Sequence, residues 1–422
     1  MYLQAATIRD DENFRRKVIR LGSGAFSGSA RPLRELSRSF LERAFSHAPG
    51  FQGKGDRGPY LLCGIRIQGG RKILHFVKWD LTLRDIAGLY AFFKFLILLL
   101  GVDLSGELGI PFPFYFARTL GRSLVLLKPK QFRDFKNWQG RVNRELARFC
   151  PGLGITVENI RIGRQELFKP GSLRKAMFKI NETREKKREL RATARPKVPL
   201  EAFRKVLSIG LALTRNSNKR FLIFRKTAAK RAGKGSILGH SFSFSDRPPK
   251  VKGLVFDNRL HFSAYQKMGI RVGGLTVQKI RNMKRPFCFL RLDGDGFLDT
   301  IFKDGWTRDL FDYYGRSVHL EILFDIHLAQ RIQKWGRSKG RGKNTVLLNS
   351  TSDDIVLAGS LPDVARIGEK AVEFYERTTK GSMSSGRGMP EEYGSFFDFS
   401  RMALSDLNLK KERGRACSFW RA

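Results

Sequence analysis

The stretch Leu292-Asp-Gly-Asp-Gly-Phe297 opens the part of the chain whose pattern decides the fold. After this glycine-bearing turn, apolar residues alternate with others over 317–324, which is typical of a half-buried strand. Two shorter apolar runs, 345–348 and 355–358, predict two further strands. A small sheet therefore lies near the carboxyl end of the chain.

A helix is predicted directly after the last of these strands. Ser360 is a candidate N-cap, Asp363 is placed to reach back to it, and Pro362 sits in the first turn, where its missing N–H costs little. The apolar spacing that follows has helical period. Strands and helices in this order predict an α+β fold.

The charge of the chain indicates a polyanionic partner. Lysine and arginine number 80 against 39 aspartates and glutamates, a formal net charge of +41 in 422 residues. A compact fold with this charge repels itself, so it needs a polyanion nearby. Nucleic acid is favoured over an anionic membrane surface, because cations gain affinity by displacing counterions from phosphates.

The most apolar run of the chain covers residues 86–102 and is about as long as the shortest membrane-spanning helices. Lys94 lies in its middle, where a charge would be costly at the centre of a bilayer. We therefore predict a buried helix, with a membrane span as the alternative.

Periodicity predicts further elements before the last third. They are strands at 123–127, 154–162 and 220–224, helices at 137–150 and 203–213, and a hairpin that turns at Asp257-Asn258.

Four features of the last third occur in a fixed order: the glycine turn, a histidine, an Ile-Val-x-x-Gly strand end before a helix, and a basic glycine-rich segment. The residues are Leu292, Gly294, Gly296, Phe297, His327, Ile355, Val356, Gly359 and the segment 380–393. This ordered set resembles the C-terminal domain of the bacterial-type large-subunit ribosomal protein six family. The resemblance implies two small α+β domains in tandem, which bind large-subunit rRNA near the sarcin–ricin loop and the translation-factor site.

Together, the resemblance and the composition predict six segments, with the two tandem domains in the carboxyl half. They are a basic extension (1–58), an additional α+β domain (59–165), a basic linker or helix (166–199), a first ribosomal-protein-like α+β domain (200–288), a second one (289–395) and a tail (396–422).

A basic loop in the last third is the main candidate for RNA contact. It is not a P-loop, because Arg337 stands where a glycine is needed and Asn344 where Ser or Thr is needed. Cations spaced by glycines fit a loop laid along an RNA backbone, and an ordinary surface hairpin is the alternative. The predicted phosphate contacts are Arg337, Lys339, Arg341, Lys343, Lys380 and Arg387, with Gly386 and Gly388 allowing close approach.

The sequence predicts no catalytic residue, metal site or cofactor. Asp293, Asp295 and Asp299 could suggest a calcium loop. Phe297 stands where a third oxygen ligand is needed and no glutamate closes the loop, so a strand turn is favoured. Three aromatic residues in basic surroundings could either stack on bases or pack in a core: Phe132, Phe135 and Trp138.

The predicted function is a non-enzymatic, structural rRNA-binding protein of a large ribosomal subunit, located in mitochondria. Its expected partners are large-subunit rRNA and neighbouring ribosomal proteins, which residues 1–200 would contact. An organellar RNA-processing enzyme or splicing factor is the alternative, and a factor tethered to a membrane through residues 86–102 is a third possibility.

Overall fold

Three antiparallel sheets with helices packed on them form the described part of the chain, so the fold class is α+β as predicted. The structure is a computed structural model. It describes residues 2–22, 31–46, 58–70, 73, 81–119, 122–169, 171–180, 198–227, 236–248, 253–262, 265, 274–276, 279–280, 287–294, 309–337, 345–351, 354–379 and 381–388.

Two helices that pack on each other precede the first sheet: α1 (Tyr2–Leu21) and α2 (Arg31–Ser46).

The first sheet and its two helices form what we call the first unit. Its elements are β1 (Tyr60–Gln68), α3 (Leu83–Leu108), β2 (Tyr115–Thr119), β3 (Arg122–Leu127), α4 (Phe132–Phe149) and β4 (Gly154–Ile162). The strand order is β2-β3-β1-β4, and each strand is antiparallel to its neighbours. This is the β-α-β-β-α-β connection of ferredoxin-like folds.

A three-stranded sheet follows the first unit. The elements between 164 and 262 are α5 (Arg164–Leu167), α6 (172–180), α7 (Leu200–Arg215), β5 (Phe221–Lys226), β6 (His240–Ser245), β7 (Leu254–Asp257) and α8 (Asn258–Phe262). β5 lies between β6 and β7.

The last sheet, which we call the second unit, repeats the topology of the first. Its elements are β8 (Phe287–Gly294), α9 (Leu310–Ile322), a π-helical turn (Leu323–Leu328), α10 (Ala329–Arg337), β9 (Thr345–Thr351), β10 (Asp354–Ser360), α11 (Leu361–Thr379) and β11 (Met383–Gly388). The order β11-β8-β10-β9 is the ferredoxin-like order, again with antiparallel neighbours.

The two units pack on each other reciprocally. The first helix of the first unit, α3, contacts β9 of the second unit, and the first helix of the second unit, α9, contacts β2 of the first. The first helix of each unit thus covers an edge strand of the other unit.

Helix α3 is the apolar run 86–102, and the prediction of a buried helix is confirmed. It is long and apolar enough to cross a membrane, but 89% of its most apolar 18-residue window is buried inside the protein. Thr82 and Asp85 cap its start reciprocally, and Gly109 ends it in the left-handed conformation at φ 62°. Lys94 is neutralised by Asp325 of the π-helical turn, at 2.6 Å.

Most of the predicted elements are confirmed. The helix after Ser360 forms, and the Ser360 hydroxyl donates to the Asp363 carboxylate at 2.7 Å. The predicted strand 154–162 has the same first and last residues as β4. The other confirmed predictions differ from the structure at their ends: the strands 123–127, 220–224, 345–348 and 355–358 and the helices 137–150 and 203–213.

Two predicted elements are wrong. Residues 317–324 form the end of α9 and the start of the π-helical turn, and every residue of α9 is buried. A helix that is covered on all sides needs no apolar stripe of 3.6-residue period. The apolar residues over 317–324 alternate by chance, and this pattern predicts a strand. The hairpin at Asp257-Asn258 is also wrong, because β7 ends at Asp257 and α8 begins at Asn258.

Candidate functional site

Two carboxylates face each other at one end of the second unit. Asp293 lies near the end of β8, Asp354 begins β10, and the two are directly opposite in the register of these central strands. Directly opposite residues have Cβ atoms about 4.5–5.5 Å apart, and like charges in that position are destabilising. The pair therefore favours a cation between or beside its carboxylates.

One arginine already lies beside this pair. Arg291 Nη2 donates to Asp354 Oδ2 at 3.0 Å, and Arg291 Nε lies 3.0 Å from Oδ1. The Arg291 and Asp354 side chains are 25% and 14% exposed, so solvent reaches this ion pair.

The neighbouring edge strand keeps this face of the sheet free of large side chains. On β11, Ser384 lies opposite Asp293 and Gly386 lies opposite Arg291. Directly opposite residues share a face of the sheet, so the space beside the carboxylates is lined by a hydroxymethyl group and a hydrogen. Ser384 is only 2% exposed and Gly386 is buried, so other parts of the protein cover this space.

Two further carboxylates lie next to the pair in sequence. Asp353 precedes Asp354, and Asp295 follows Asp293 by two residues; both are outside the described residues. No cluster of three metal-ligating side chains occurs within the part of the chain that the structure describes. The opposed oxygens of Asp293 and Asp354 nevertheless suit a hard divalent cation such as Mg²⁺, which binds proteins through one or two carboxylates.

The first unit carries arginines where the second unit carries carboxylates. Both hairpins leave two residues between their strands, β3 begins at Arg122 as β10 begins at Asp354, and Arg122 lies opposite Arg66 on β1. The repeated topology therefore has opposite charge at equivalent positions. Among the described residues at these equivalent positions, those of the second unit alone offer carboxylate ligands for a cation.

Of the predicted RNA contacts, Arg337, Gly386, Arg387 and Gly388 are among the described residues. Arg387 is exposed on β11 between Gly386 and Gly388, on the strand that borders the carboxylate pair. Arg337 ends α10, whereas Lys339, Arg341, Lys343 and Lys380 lie outside the described residues.

The basic loop precedes β9 in sequence, and β9 is a strand of seven residues whose other end adjoins the hairpin before Asp354. Seven residues at 3.3 Å each place the start of β9 about 20 Å from that hairpin. The start of β9 therefore lies far from the carboxylate pair.

The aromatic residues of α4 pack in the core. Phe135 and Trp138 are fully buried and stack on each other, and the Trp138 indole donates to Asp103 at 2.8 Å. Of the two alternatives, packing holds for both residues.

A buried ionic network between the units has no signal in the sequence. Arg15 and Arg118 both contact Asp11 at 3.0 Å, and Arg15 also reaches Glu321 at 2.7 Å. Burial alone would raise the pKa of Asp11, but the two arginines hold it below its usual range. The network joins α1, the edge strand of the first unit and the first helix of the second. Its members are scattered along the chain, so only the fold reveals them.

The sequence does carry a signal for the carboxylate pair. Each of two predicted strand ends carries a short acidic turn, Asp293-Gly-Asp295 and Asp353-Asp354. Acidic turns at the ends of two neighbouring strands are candidates for one shared site, but neighbourhood follows only from the strand order.

No protein-family model and no curated protein matches this chain in sequence. Solved structures match in fold. Csm1 in T.onnurineus matches with a TM-score of 0.67 and 14% identity, over 89% of this chain and 56% of that one. A chain of the apo Csm1-Csm4 cassette gives 0.68 and 15%, over 90% and 56%. The Csm1-Csm4 subcomplex in the type III-A CRISPR-Csm interference complex gives 0.67 and 14%, over 90% and 57%.

These matches overturn the ribosomal interpretation. The resemblance to ribosomal protein six is wrong, because nine-tenths of the chain, including the part assigned to that family, follows the fold of Csm1. The predicted ribosomal function, rRNA and ribosomal-protein partners, and mitochondrial location are wrong for the same reason. The prediction that the chain is not an enzyme is contradicted by neighbours crystallised with ATP and cyclic oligoadenylates. The protein has the fold of Csm1, and it spans a little over half the length of the Csm1 chains that it matches.

Proposed function

We propose that this chain is a Csm1-like subunit that binds adenosine nucleotides at the Asp293–Asp354 pair and joins them through phosphodiester bonds. The observation that carries the proposal is the opposed carboxylate pair on the central strands of the second unit. It lies in a fold shared with the Csm1-Csm4 cassette, which was crystallised with one ATP, with AMPPNP, with pppApA and with cA3 and cA4.

The reaction follows from the chemistry of these ligands. A ribose 3′-hydroxyl of one ATP attacks the α-phosphorus of another, and pyrophosphate leaves. The product of two ATP molecules is pppApA, and repetition followed by closure gives a cyclic oligoadenylate. Such a transfer needs neutralisation of phosphate charge and alignment of the attacking and leaving oxygens, with little covalent chemistry from the protein.

The described residues would supply the binding groups. Asp293 and Asp354, with Asp295 and Asp353 next to them in sequence, would hold a divalent cation, which supplies charge neutralisation and polarises the phosphate. Arg291 orients Asp354 through its two nitrogens. A nucleotide would approach from the side on which Arg291 and Asp354 reach solvent, where their side chains are 25% and 14% exposed.

Nucleotide binding without bond formation is the second candidate. It is favoured by one contact, because Arg291 lies against both oxygens of Asp354 and would have to share or release them when a cation binds.

We further propose that the chain assembles with a Csm4-like partner and RNA. The net charge of +41 supports an RNA-containing complex. In this complex, Arg337, Lys339, Arg341, Lys343, Lys380 and Arg387 stay predicted phosphate contacts, with Gly386 and Gly388 allowing close approach.

The test is incubation of the purified chain with ATP labelled at the α-phosphate and Mn²⁺ or Mg²⁺, with products separated by chromatography and identified by mass. Asp354→Asn and Asp293→Asn should lose product formation by at least 100-fold. Asp246→Asn is the matched control, because Asp246 is an exposed carboxylate that pairs with Lys219 away from the site. Binding of ATP without any product, in the chain alone and with its partner, would favour the second candidate. An Asp354→Asn variant as active as the wild type would refute the site.

A further inference from the structure

A basic groove lies between α1 and α2, on helices that belong to neither ferredoxin-like unit. Its volume is about 240 Å³, and four cations line it: Arg16, Lys17, Arg20 and Arg43. One carboxylate, Asp10, also lines it, so the lining has a net charge of +3. We call it the α1/α2 groove.

Three of the four cations in this groove differ in their pairing from two arginines elsewhere on α2. Arg31 and Arg38 pair with Glu35 and Glu42, at 2.8 and 3.7 Å. Lys17, Arg20 and Arg43 have no ion-pair partner among the residues that the structure describes. Lys17, Arg20 and Arg43 are also exposed, so three cations of the groove are accessible to an anion.

The spacing of the cations on α1 is unfavourable for the helix by itself. Arg16 and Arg20 are four residues apart and Lys17 and Arg20 three, so like charges lie on one side of the helix. Arg16 is partly neutralised by Glu12 and Asp257, but the other two charges are not. A bound anion would remove the repulsion.

The floor of the groove is aromatic. Phe14 is buried and Phe40 half-buried, and their rings stack with centroids 4.6 Å apart and planes within 18°. Both rings also line the groove. An aromatic floor with a cationic rim is the combination by which proteins bind single-stranded nucleic acid, because bases stack on the rings while phosphates meet the cations.

We propose that the α1/α2 groove binds a single strand of nucleic acid, with phosphates on Lys17, Arg20 and Arg43 and one base over Phe40. Its exposed rim favours a strand over a free nucleotide, which proteins usually enclose on most sides. The cations are also spread out, with Arg16 and Arg20 about 6 Å apart along the axis of α1 and Arg43 on the facing helix. This site is distinct from the Asp293–Asp354 pair and does not depend on the function proposed for that pair.

The test measures binding of fluorescently labelled 12-nucleotide uridine and thymidine strands, and separately of a fluorescent ATP analogue, by anisotropy at several salt concentrations. The variant Lys17→Gln, Arg20→Gln, Arg43→Gln should bind single strands with a salt slope shallower by about 2, because each phosphate contact on a single strand contributes about 0.7. That difference is roughly 100-fold in affinity for a tenfold change in salt. The uridine and thymidine arms show whether RNA or DNA is preferred.

The matched control is Arg31→Gln, Arg38→Gln, Lys205→Gln, which removes three exposed cations that are paired with carboxylates outside the groove. It should leave the salt slope within about 0.5 of the wild type. A second readout is the fluorescence of 2-aminopurine in the strand, which should be quenched by the wild type and much less by Phe40→Leu. Thermal unfolding confirms that each variant is folded.

Equal losses in the two triple variants would overturn the proposal, because they would reflect net charge alone. Unchanged binding in the groove variant would also overturn it, and so would a loss confined to the ATP analogue. Asp354→Asn should retain single-strand binding, so failure of the groove is distinguishable from failure of the nucleotide site.

Discussion

Lys94 and Asp325 form an ion pair of 2.6 Å that joins the most apolar helix of the first unit to the π-helical turn of the second. Their side chains are 15% and 12% exposed. Burial raises the pKa of Asp325 to about 6, against the opposing effect of Lys94. A charge in the middle of an apolar helix is thus matched by one partner across the boundary between the units.

Removal of one member of this pair should destabilise the fold strongly. Lys94→Met leaves Asp325 buried without its cation, and we expect a loss of about 3–5 kcal/mol in the free energy of unfolding at pH 8. Lys94→Met with Asp325→Leu removes both charges and should recover most of that loss. Chemical denaturation measures both. A double variant as unstable as the single one would show that packing, not charge, sets the cost.

The stability of the protein should fall as pH rises through the range in which Glu12 ionises. Burial raises the pKa of Glu12 from 4.5 to about 7, although the backbone N–H of Asp257 and Arg16 favour the carboxylate. Because the folded state binds this proton more tightly than the unfolded state, the contribution is full below pH 4.5 and is lost as pH rises to about 7.

Glu12→Gln should remove this part of the pH dependence. The amide stays neutral and keeps an oxygen that can accept from the Asp257 N–H. The variant should be more stable than the wild type at pH 8 and similar to it at pH 5, as measured by urea denaturation at each pH. Glu35→Gln, in an exposed pair with Arg31, is the control and should leave the profile unchanged. Parallel profiles for Glu12→Gln and the wild type would contradict the assignment.

The crossing of α3 and α7 should tolerate no side chain at its closest point. A Cβ built on Gly210 lies 2.0 Å from the Gly88 carbonyl oxygen, so Gly210→Ala forces the helices apart. We expect a loss of about 1–3 kcal/mol or more in the free energy of unfolding. Gly140→Ala is the control, because its Cβ meets nothing closer than the Arg144 side chain at 3.6 Å. It should be neutral or stabilising by up to about 1 kcal/mol.

Divalent cations should stabilise the protein through the carboxylate pair. At a concentration of Mn²⁺ about 100 times its dissociation constant, binding to the folded state alone contributes about 2.7 kcal/mol. The melting temperature should therefore rise with Mn²⁺ and return with EDTA. Asp354→Asn should abolish the rise and Asp246→Asn should not. A rise that is the same in both variants would place the cation elsewhere.

Elements with one buried and one exposed side could be predicted from the sequence. Elements buried on all sides could not. β4 and the helix after Ser360 were predicted because they have one buried side and recognisable ends. Helix α9 is buried all round, so its period was lost. The opposition of Asp293 and Asp354 depends on strand register, which periodicity does not contain. The ribosomal resemblance rested on turns and glycines, which many α+β folds share.

The reciprocal packing of α3 on β9 and of α9 on β2 has a consequence for how this chain can be divided. A fragment that ends after β4 would expose the apolar surface of α3, and one that begins at β8 would leave β9 without its cover. We expect neither half to be soluble by itself. A useful truncation must keep the sheets of both units. A homologue that lost one unit would need polar residues on the surface of the other unit that the loss exposes.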